Sequence, residues 1–354
     1  MSGAHETHRN VLPFFGNPFR VIRHKRSSHL SPKLASLQAS FEQTLAVILQ
    51  KFKPKDASEI LTLAWMKNAV DGLSQAHSQI ANLITDLEFP VSDWEEKWMD
   101  IYLDSSVKLL DICLALSAEL ARLDQGQLLL QYAAHVLDSS ENNNMTAEKL
   151  ERAHKSVQEW VGKLGLRSSK LESCTNILNG LARSLFTGKV RSSAKGQVLL
   201  QALYGVKVVM ILIGGALISV LSGNSAPMVE MQVSDNFAWY GAFNDLKSTI
   251  YEGVSVYVLK GKTSAVKEVE AVEASVRHLN ELMTRKGNCV EKELKLGSTE
   301  FEKCILDLKE HSERLRVGLD LLSKRVEEFF QVVLSGRDAL LCNLRVCDAK
   351  PVKS

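Results

Sequence analysis

The nearest approach to a chemical site in this sequence is Asp93-Trp94-Glu95-Glu96-Lys97-Trp98-Met99-Asp100, where carboxylates and indoles crowd into one short stretch. Two carboxylates can act as general acid and base when a pocket holds both against one substrate. Helical spacing gives these residues a plainer role. Trp94 and Trp98 fall one turn apart on one face, Glu95 and Glu96 lie in a first turn, where the helix dipole favours negative charge, and Asp93 with Lys97 makes an i,i+4 pair.

Other chemistry is harder still to find. The chain contains no Walker loop, no dinucleotide-binding glycine pattern, no H-E-x-x-H and no G-x-S-x-G. Gly214-Gly215 sits inside an apolar helical run rather than between strand and helix, so it cannot cradle a phosphate. Four histidines, His5, His8, His24 and His29, fall in the N-terminal tail, while His77, His135, His154, His278 and His311 stand singly on helices, as surface or hydrogen-bonded histidines do. The cysteines Cys113, Cys174, Cys289, Cys304, Cys342 and Cys347 include no C-x-x-C pair, and Cys342 and Cys347 miss the one-turn spacing that would put two thiolates on one metal. Accordingly, no catalytic, cofactor-binding or metal-ligating residue is assigned, and a reducing compartment is the simpler reading. A formal net charge of +2, with no face on which basic and aromatic residues interleave, argues against nucleic acid as a partner.

The basic charge is local. Up to residue 33 the cations Arg9, Arg20, Arg23, Lys25, Arg26 and Lys33 face Glu6 alone, among Pro13, Gly16 and Pro18. This composition predicts a disordered tail over residues 1–30. Phe14, Phe15, Phe19, Val21 and Ile22 interleave with Arg20, Arg23, Lys25 and Arg26, so apolar side chains could enter a membrane interface while each cation meets anionic lipid at about 1 kcal/mol. The same rings could equally dock on the protein's own surface, and the scarcity of acids also suits a transit peptide. Ser27, Ser28 and Ser31 lie beside basic residues or before proline, which makes them kinase-accessible, and a phosphate there could recruit a phospho-binding partner such as 14-3-3.

The elements around these residues read as helices. Seven prolines and 6% aromatics leave long breaker-free stretches in a chain that is 45% apolar and 24% charged. Ser31 caps a first helix with Pro32 at its first position, running to about Phe52. Asp56 with Glu59 opens a second helix to about Leu87, and Ser92 with Glu95 a third. In that third helix Leu103, Val107, Leu110 and Leu114 form a stripe expected to face a packed neighbour, and Leu128 to Leu137 continues beyond Gly126 as a separate or kinked helix. Thr146 caps a helix bearing Leu150, Val157, Trp160 and Val161, and Leu171 to Phe186 forms another. Phe301, Ile305, Leu308, Ser312, Leu315, Leu319, Leu322, Val326, Phe329 and Val333 alternate at four and three residues, predicting a long C-terminal helix with a coiled-coil-like seam that packs within the chain rather than against a second copy.

The expected fold is therefore all-α: a multi-helix bundle with a long C-terminal helix and a disordered N-terminal tail. Its parts are the tail 1–30, an N-terminal helical part 31–188, a C-terminal helical part 189–347 that includes an apolar helix 198–222 and the long helix 298–345, and a disordered end 348–354. Val208 to Val229 contains no charge, and Val208, Ile211, Leu212, Gly215, Leu217, Ser219 and Leu221 belong either to a central core helix or to a membrane span of borderline length.

Several phrases resemble the plant BYPASS/ROH-like family. They are Pro13-Phe14-Phe15-Gly16-Asn17-Pro18-Phe19, Leu30-Ser31-Pro32-Lys33-Leu34, Pro90 to Trp98, Ser193-Ala194-Lys195-Gly196, Ala202 to Lys207, Ser335-Gly336-Arg337-Asp338 and Asn343-Leu344-Arg345, so the resemblance extends over nearly the whole chain. It implies a helical plant protein without known enzymatic activity that restrains a root-to-shoot growth signal, with ROH-like relatives binding an exocyst subunit. Such a protein is expected in the cytoplasm, peripheral to or crossing an endomembrane or plasma membrane, with the chloroplast as the alternative. A binder or enzyme for a hydrophobic signalling metabolite, with a pocket near Trp94, Trp98 and Tyr204, is the contrasting expectation.

Overall fold

Helix α1, Pro32–Lys51, starts where its cap predicts: the Ser31 hydroxyl accepts the Leu34 amide N–H at 3.4 Å, and Pro32 occupies the first turn. The computed structural model describes residues 30–89, 97–138, 146–166, 168–186, 192–257, 264–287 and 299–348, which among themselves form helices and no strand. The tail with Phe14, Phe15, Phe19, Arg20, Arg23, Lys25, Arg26, Ser27 and Ser28, the Ser92/Glu95 capping box and Trp94 lie outside the described residues.

The second helix begins later than its acidic residues suggest. Asp56 takes the Ser58 amide and hydroxyl (2.8 and 2.6 Å) and Glu59 the Lys55 amide (2.6 Å), which closes a tight turn into a short 3-10 segment, Glu59–Leu61. Thr62, in an extended conformation, is the actual cap of α2, Leu63–Leu87, its hydroxyl accepting from Trp65 N at 3.1 Å. A further cap comes from far along the chain, because the Glu268 carboxylate accepts the Leu63 N–H (3.2 and 3.3 Å).

Helix α3 is one unbroken element, Lys97–Asp138, at 1.5 Å per residue roughly 63 Å long. Gly126 is accommodated inside it because a Cβ there would lie 3.2 Å from the Trp160 indole of α4, so the glycine permits close approach instead of marking a break. The stripe expected to be buried is displaced. Val107 and Leu114 are 43% and 56% exposed and Leu103 and Leu110 half-buried, whereas Trp98, Tyr102, Leu109, Ile112, Leu116, Leu120 and Leu123 are buried. The reason is that α3 has neighbours on several sides, which makes its buried arc wide and leaves the predicted stripe at its edge.

Then follow α4, Ala147–Leu164, capped by Thr146, and α5, Ser169–Arg183, capped by Ser168 and ending in a 3-10 turn, Ser184–Phe186. Of the α4 face read from sequence, Val157 and Trp160 are buried but Val161 is 46% exposed. Helices α6, Ala194–Ser222, α7, Tyr240–Tyr257, α8, Lys267–Gly287, and α9, Thr299–Asp348, complete the described elements.

Two packing groups share α3, and α9 joins them through its contact with α2. In one, α6 is surrounded by α1, α2, α3, α5 and α7; in the other, α3 and α9 join α4 and α8 in a four-helix arrangement. The two long helices run antiparallel: Gly336 lies against Tyr102 at one end, Ser312 binds Gln127 further on, and Lys309 pairs with Asp138 at the other end. Every residue of the α9 seam from Phe301 to Val333 is buried, so the seam is satisfied inside the chain by α2, α3 and α8. Helix α9 is not laid along α6. Helices α2 and α3 lie between, and α9 approaches α6 at a small cavity lined by Val326 and Phe329 from one and Met210, Gly214 and Leu217 from the other.

Candidate functional site

The apolar run becomes the core of the first group. Val208, Ile211, Leu212, Gly215, Leu217, Ser219 and Leu221 are all buried, and Val198, Leu199 and residues 202–221 leave no face of α6 open. α6 is long and apolar enough to cross a membrane, and here five neighbouring helices cover it instead. Gly215 permits that enclosure, since a Cβ on it would meet the Pro227 carbonyl oxygen at 2.9 Å.

One charged group lies in the middle of this helix. Lys207, 7% exposed, donates to the Ser184 hydroxyl at 2.9 Å. Loss of water lowers its pKa to about 8, Asp104 of α3 pulling it back up and Lys108 pushing it further down. Asp104 and Lys108 are themselves paired at 2.6 Å. Sequence reasoning saw Lys207 only as an interruption of an apolar run. What gives it meaning is α5 and its 3-10 turn, which deliver Ser184 from more than twenty residues upstream.

A second buried polar group lies between α2, α3 and α9. The His77 imidazole is 3.1 Å from the Tyr102 hydroxyl, stacks on that ring and meets Phe329 edge-on. Burial lowers the His77 pKa to about 4 and raises that of Tyr102 to about 12, with Arg337 opposing the latter, so both stay neutral near pH 7. Arg337 itself reaches the Leu103 carbonyl (2.8 Å) and the Ser106 hydroxyl (3.2 Å), tying α9 to the first turns of α3.

The third is a polar layer among α3, α8 and α9. Ser312 donates to Gln127 Oε1 at 2.6 Å, His311 Nδ1 lies 2.8 Å from the Ser275 hydroxyl, and Cys304 approaches the Ser275 carbonyl. Beside it, the buried Glu119 holds Arg122 through two hydrogen bonds, and Arg122 caps α4 at the Lys163 carbonyl (2.7 Å).

Ser275 with His311 and Ser184 with Lys207 each bring a hydroxyl to a nitrogen base, and in both pairs at least one member, Ser275 or Lys207, is buried. Burial pushes Cys113 up to about 12 and Cys174 and Cys304 up to about 11, which keeps the three thiols protonated at neutral pH. Among the described residues no group of three or more His, Cys, Asp or Glu side chains is placed to hold a metal. The cavity between α2, α3, α6 and α9 has a volume of about 10 Å³, near the lower limit for one water, and its walls are apolar. It does not coincide with the pocket expected near Trp98 and Tyr204. Trp98 stacks on Phe89 at 5.0 Å, while Tyr204 stacks on Phe237 at 5.5 Å within a separate cluster that includes Trp239 and Phe243.

Comparison with known proteins extends over this whole framework. A family profile described as "Protein ROH1-like" matches residues 22–184 and 162–343. The chain belongs to the ROH1-like family. It is 42% identical to "UPF0496 protein 4" of Oryza sativa subsp. japonica over 99% of this chain and 98% of the relative. It is 40% identical to "Protein BPS1, chloroplastic" of Arabidopsis thaliana over 100% and 96%, and 20% identical to "Protein ROH1D" of the same plant over 91% and 94%. No solved structure gives a significant match. The BYPASS resemblance read from the sequence phrases is thereby established, and with it a plant developmental regulatory protein of that family.

Proposed function

We propose that this protein is a non-catalytic adaptor in plant growth and developmental signalling, restraining a mobile signal through contacts made by its outer helical faces. The observation that carries this reading is where its reactive and apolar groups lie. The thiols of Cys113, Cys174 and Cys304, His77 and Lys207 are enclosed in the core, while Leu128 and Tyr132 on α3 and Leu306, Val317 and Leu321 on α9 stand 42–65% exposed, as side chains that meet a partner do. Near-full-length similarity to BPS1 supports the regulatory class.

The experiment is complementation of a plant line lacking its BPS1-like gene, comparing the unaltered chain with a Leu128→Glu, Leu321→Glu double variant. The adaptor reading expects the double variant to stay folded and abundant yet fail to restore normal shoot growth. Full rescue by it would remove these faces from consideration, and turnover of a small metabolite by the purified protein would overturn the non-catalytic class. The ROH1-like family match supports a second reading in which the partner is an exocyst subunit and the protein acts as a trafficking tether, tested by direct binding of purified subunits. A cytoplasmic, membrane-peripheral location goes with either, and the name of the BPS1 relative keeps the chloroplast as the alternative.

A further inference from the structure

The half-buried and exposed stripe on the first half of α3 has a pattern of its own. Leu103, Val107, Leu110 and Leu114 recur along two to three turns of one face, and Asp100, Asp104 and Asp111 are exposed around them. Asp104 is paired with Lys108, but Asp100 and Asp111 have no cationic partner among the described residues. A row of large apolar side chains bordered by unpaired carboxylates suits an occupant that is apolar and basic at once.

Such a segment belongs to this chain, and its point of attachment is close. Leu30 and Leu34 pack on the core, Lys33 pairs with Glu88 beyond the end of α2, Lys195 donates to the Glu88 carbonyl, and the next residue, Phe89, stacks on Trp98 in the first turn of α3. The chain preceding Leu30 therefore departs beside the start of the stripe. From Leu30 back to Phe19 is roughly 36 Å of extended chain at 3.3 Å per residue, against roughly 21 Å from Asp100 to Leu114 along the helix. The other exposed apolar group, around Leu128 and Leu321, begins roughly 46 Å from the start of α3 by the same rise, and its cations Arg314 and Arg316 are already paired with Glu310, Glu313 and Asp320. That distance exceeds the roughly 36 Å that the chain between Phe19 and Leu30 can span.

We propose that residues Phe14 to Arg26 dock on α3 along Leu103, Val107, Leu110 and Leu114, with Arg20, Arg23, Lys25 and Arg26 facing the aspartates.

The test uses the full chain with the photo-reactive analogue p-benzoylphenylalanine in place of Phe15 or, separately, Phe19, irradiated at low concentration and mapped by peptide mass spectrometry. Cross-links within one chain to residues 100–118 are expected, falling at least tenfold when Val107→Asp and Leu114→Asp are introduced together. Both substituted side chains are already exposed, so circular dichroism and thermal melting should be unchanged. Cross-links scattered without preference, confined to another face, or joining two chains would overturn the proposal. An undiminished yield in a folded Val107→Asp, Leu114→Asp variant would do so too. If that variant fails to fold, reversing the four tail cations to glutamate is the substitute, with the same tenfold loss expected.

Discussion

Lys207 keeps its ammonium inside an apolar helix with one hydroxyl for company, and the cost of that placement depends on pH. The group titrates near 8 in the folded chain and near 10.5 when solvated, so between these values the unfolded chain holds the extra proton and stability rises with pH. Below pH 8 the penalty is complete, on the order of 3 kcal/mol at 1.36 kcal/mol per pKa unit. Lys207→Met, which forfeits about 1 kcal/mol of hydrogen bond to Ser184, is expected to be more stable than the parent at pH 7 by about 1–3 kcal/mol. Its advantage should vanish by pH 10.5 in urea unfolding; a less stable methionine variant at pH 7 would show the ammonium to be better solvated than its burial indicates. His77 works at the acid end. Its folded pKa of about 4 lies below the ordinary 6.5, so the contribution is intact above pH 6.5 and lost as pH falls towards 4, again roughly 3 kcal/mol in all. Replacing it, as His77→Leu, should flatten that part of the stability profile relative to the parent; parallel profiles would contradict the assignment.

At the scale of elements, glycines separate close packing from mere permissiveness. A Cβ at Gly253 in α7 would lie 2.3 Å from the Ala57 carbonyl oxygen and 2.4 Å from Ile60 Cδ1, so backbone must move to admit it. Gly253→Ala should destabilise by about 1–3 kcal/mol despite a helix-propensity gain near 1 kcal/mol. Gly180 in α5 meets nothing within 4 Å, and Gly180→Ala should keep the gain, up to about 1 kcal/mol in thermal unfolding. Equal effects at the two sites would refute the α7 contact with the turn before α2. The α9 seam was legible residue by residue because one narrow stripe meets its partners along nearly the whole helix. On α3 the same period-counting picked the wrong edge, because a helix wrapped by several neighbours buries more than a stripe and the 3.6-residue pattern no longer singles out one face.

Across the whole molecule, the antiparallel register of α3 and α9 is held by a polar contact within an apolar seam. Gln127 is 1% exposed, its Oε1 takes the Ser312 hydroxyl, and its Nε2 has no partner among the described residues. Removing one member leaves the other buried and unsatisfied, so Gln127→Leu and Ser312→Ala should each cost about 1–3 kcal/mol, while the double variant costs less than their sum. Additive losses would mean that the pair is not coupled. Enclosure of α6 carries its own expectation: the full-length folded protein should leave membranes on carbonate extraction, and amides 202–221 should be the slowest to exchange hydrogen. Retention in the carbonate pellet would mean that α6 leaves the bundle for lipid.

The sequence alone determined the helical class, the start of α1, the cap at Thr146, the long C-terminal seam and the family, since each is written in local spacing or in phrases of consecutive residues. It could not decide between core and membrane for α6. Apolar composition is what both environments require, and only the five helices packed around it distinguish them. The later start of α2, at the Thr62 cap, is reinforced by a carboxylate from Glu268, more than two hundred residues away. Lys207 with Ser184, His77 with Tyr102 and Gln127 with Ser312 were equally invisible, because each pair joins residues that no periodicity connects. Tertiary structure brings such groups together, and the low-dielectric core then sets their protonation, their energetic cost and which surfaces remain outside.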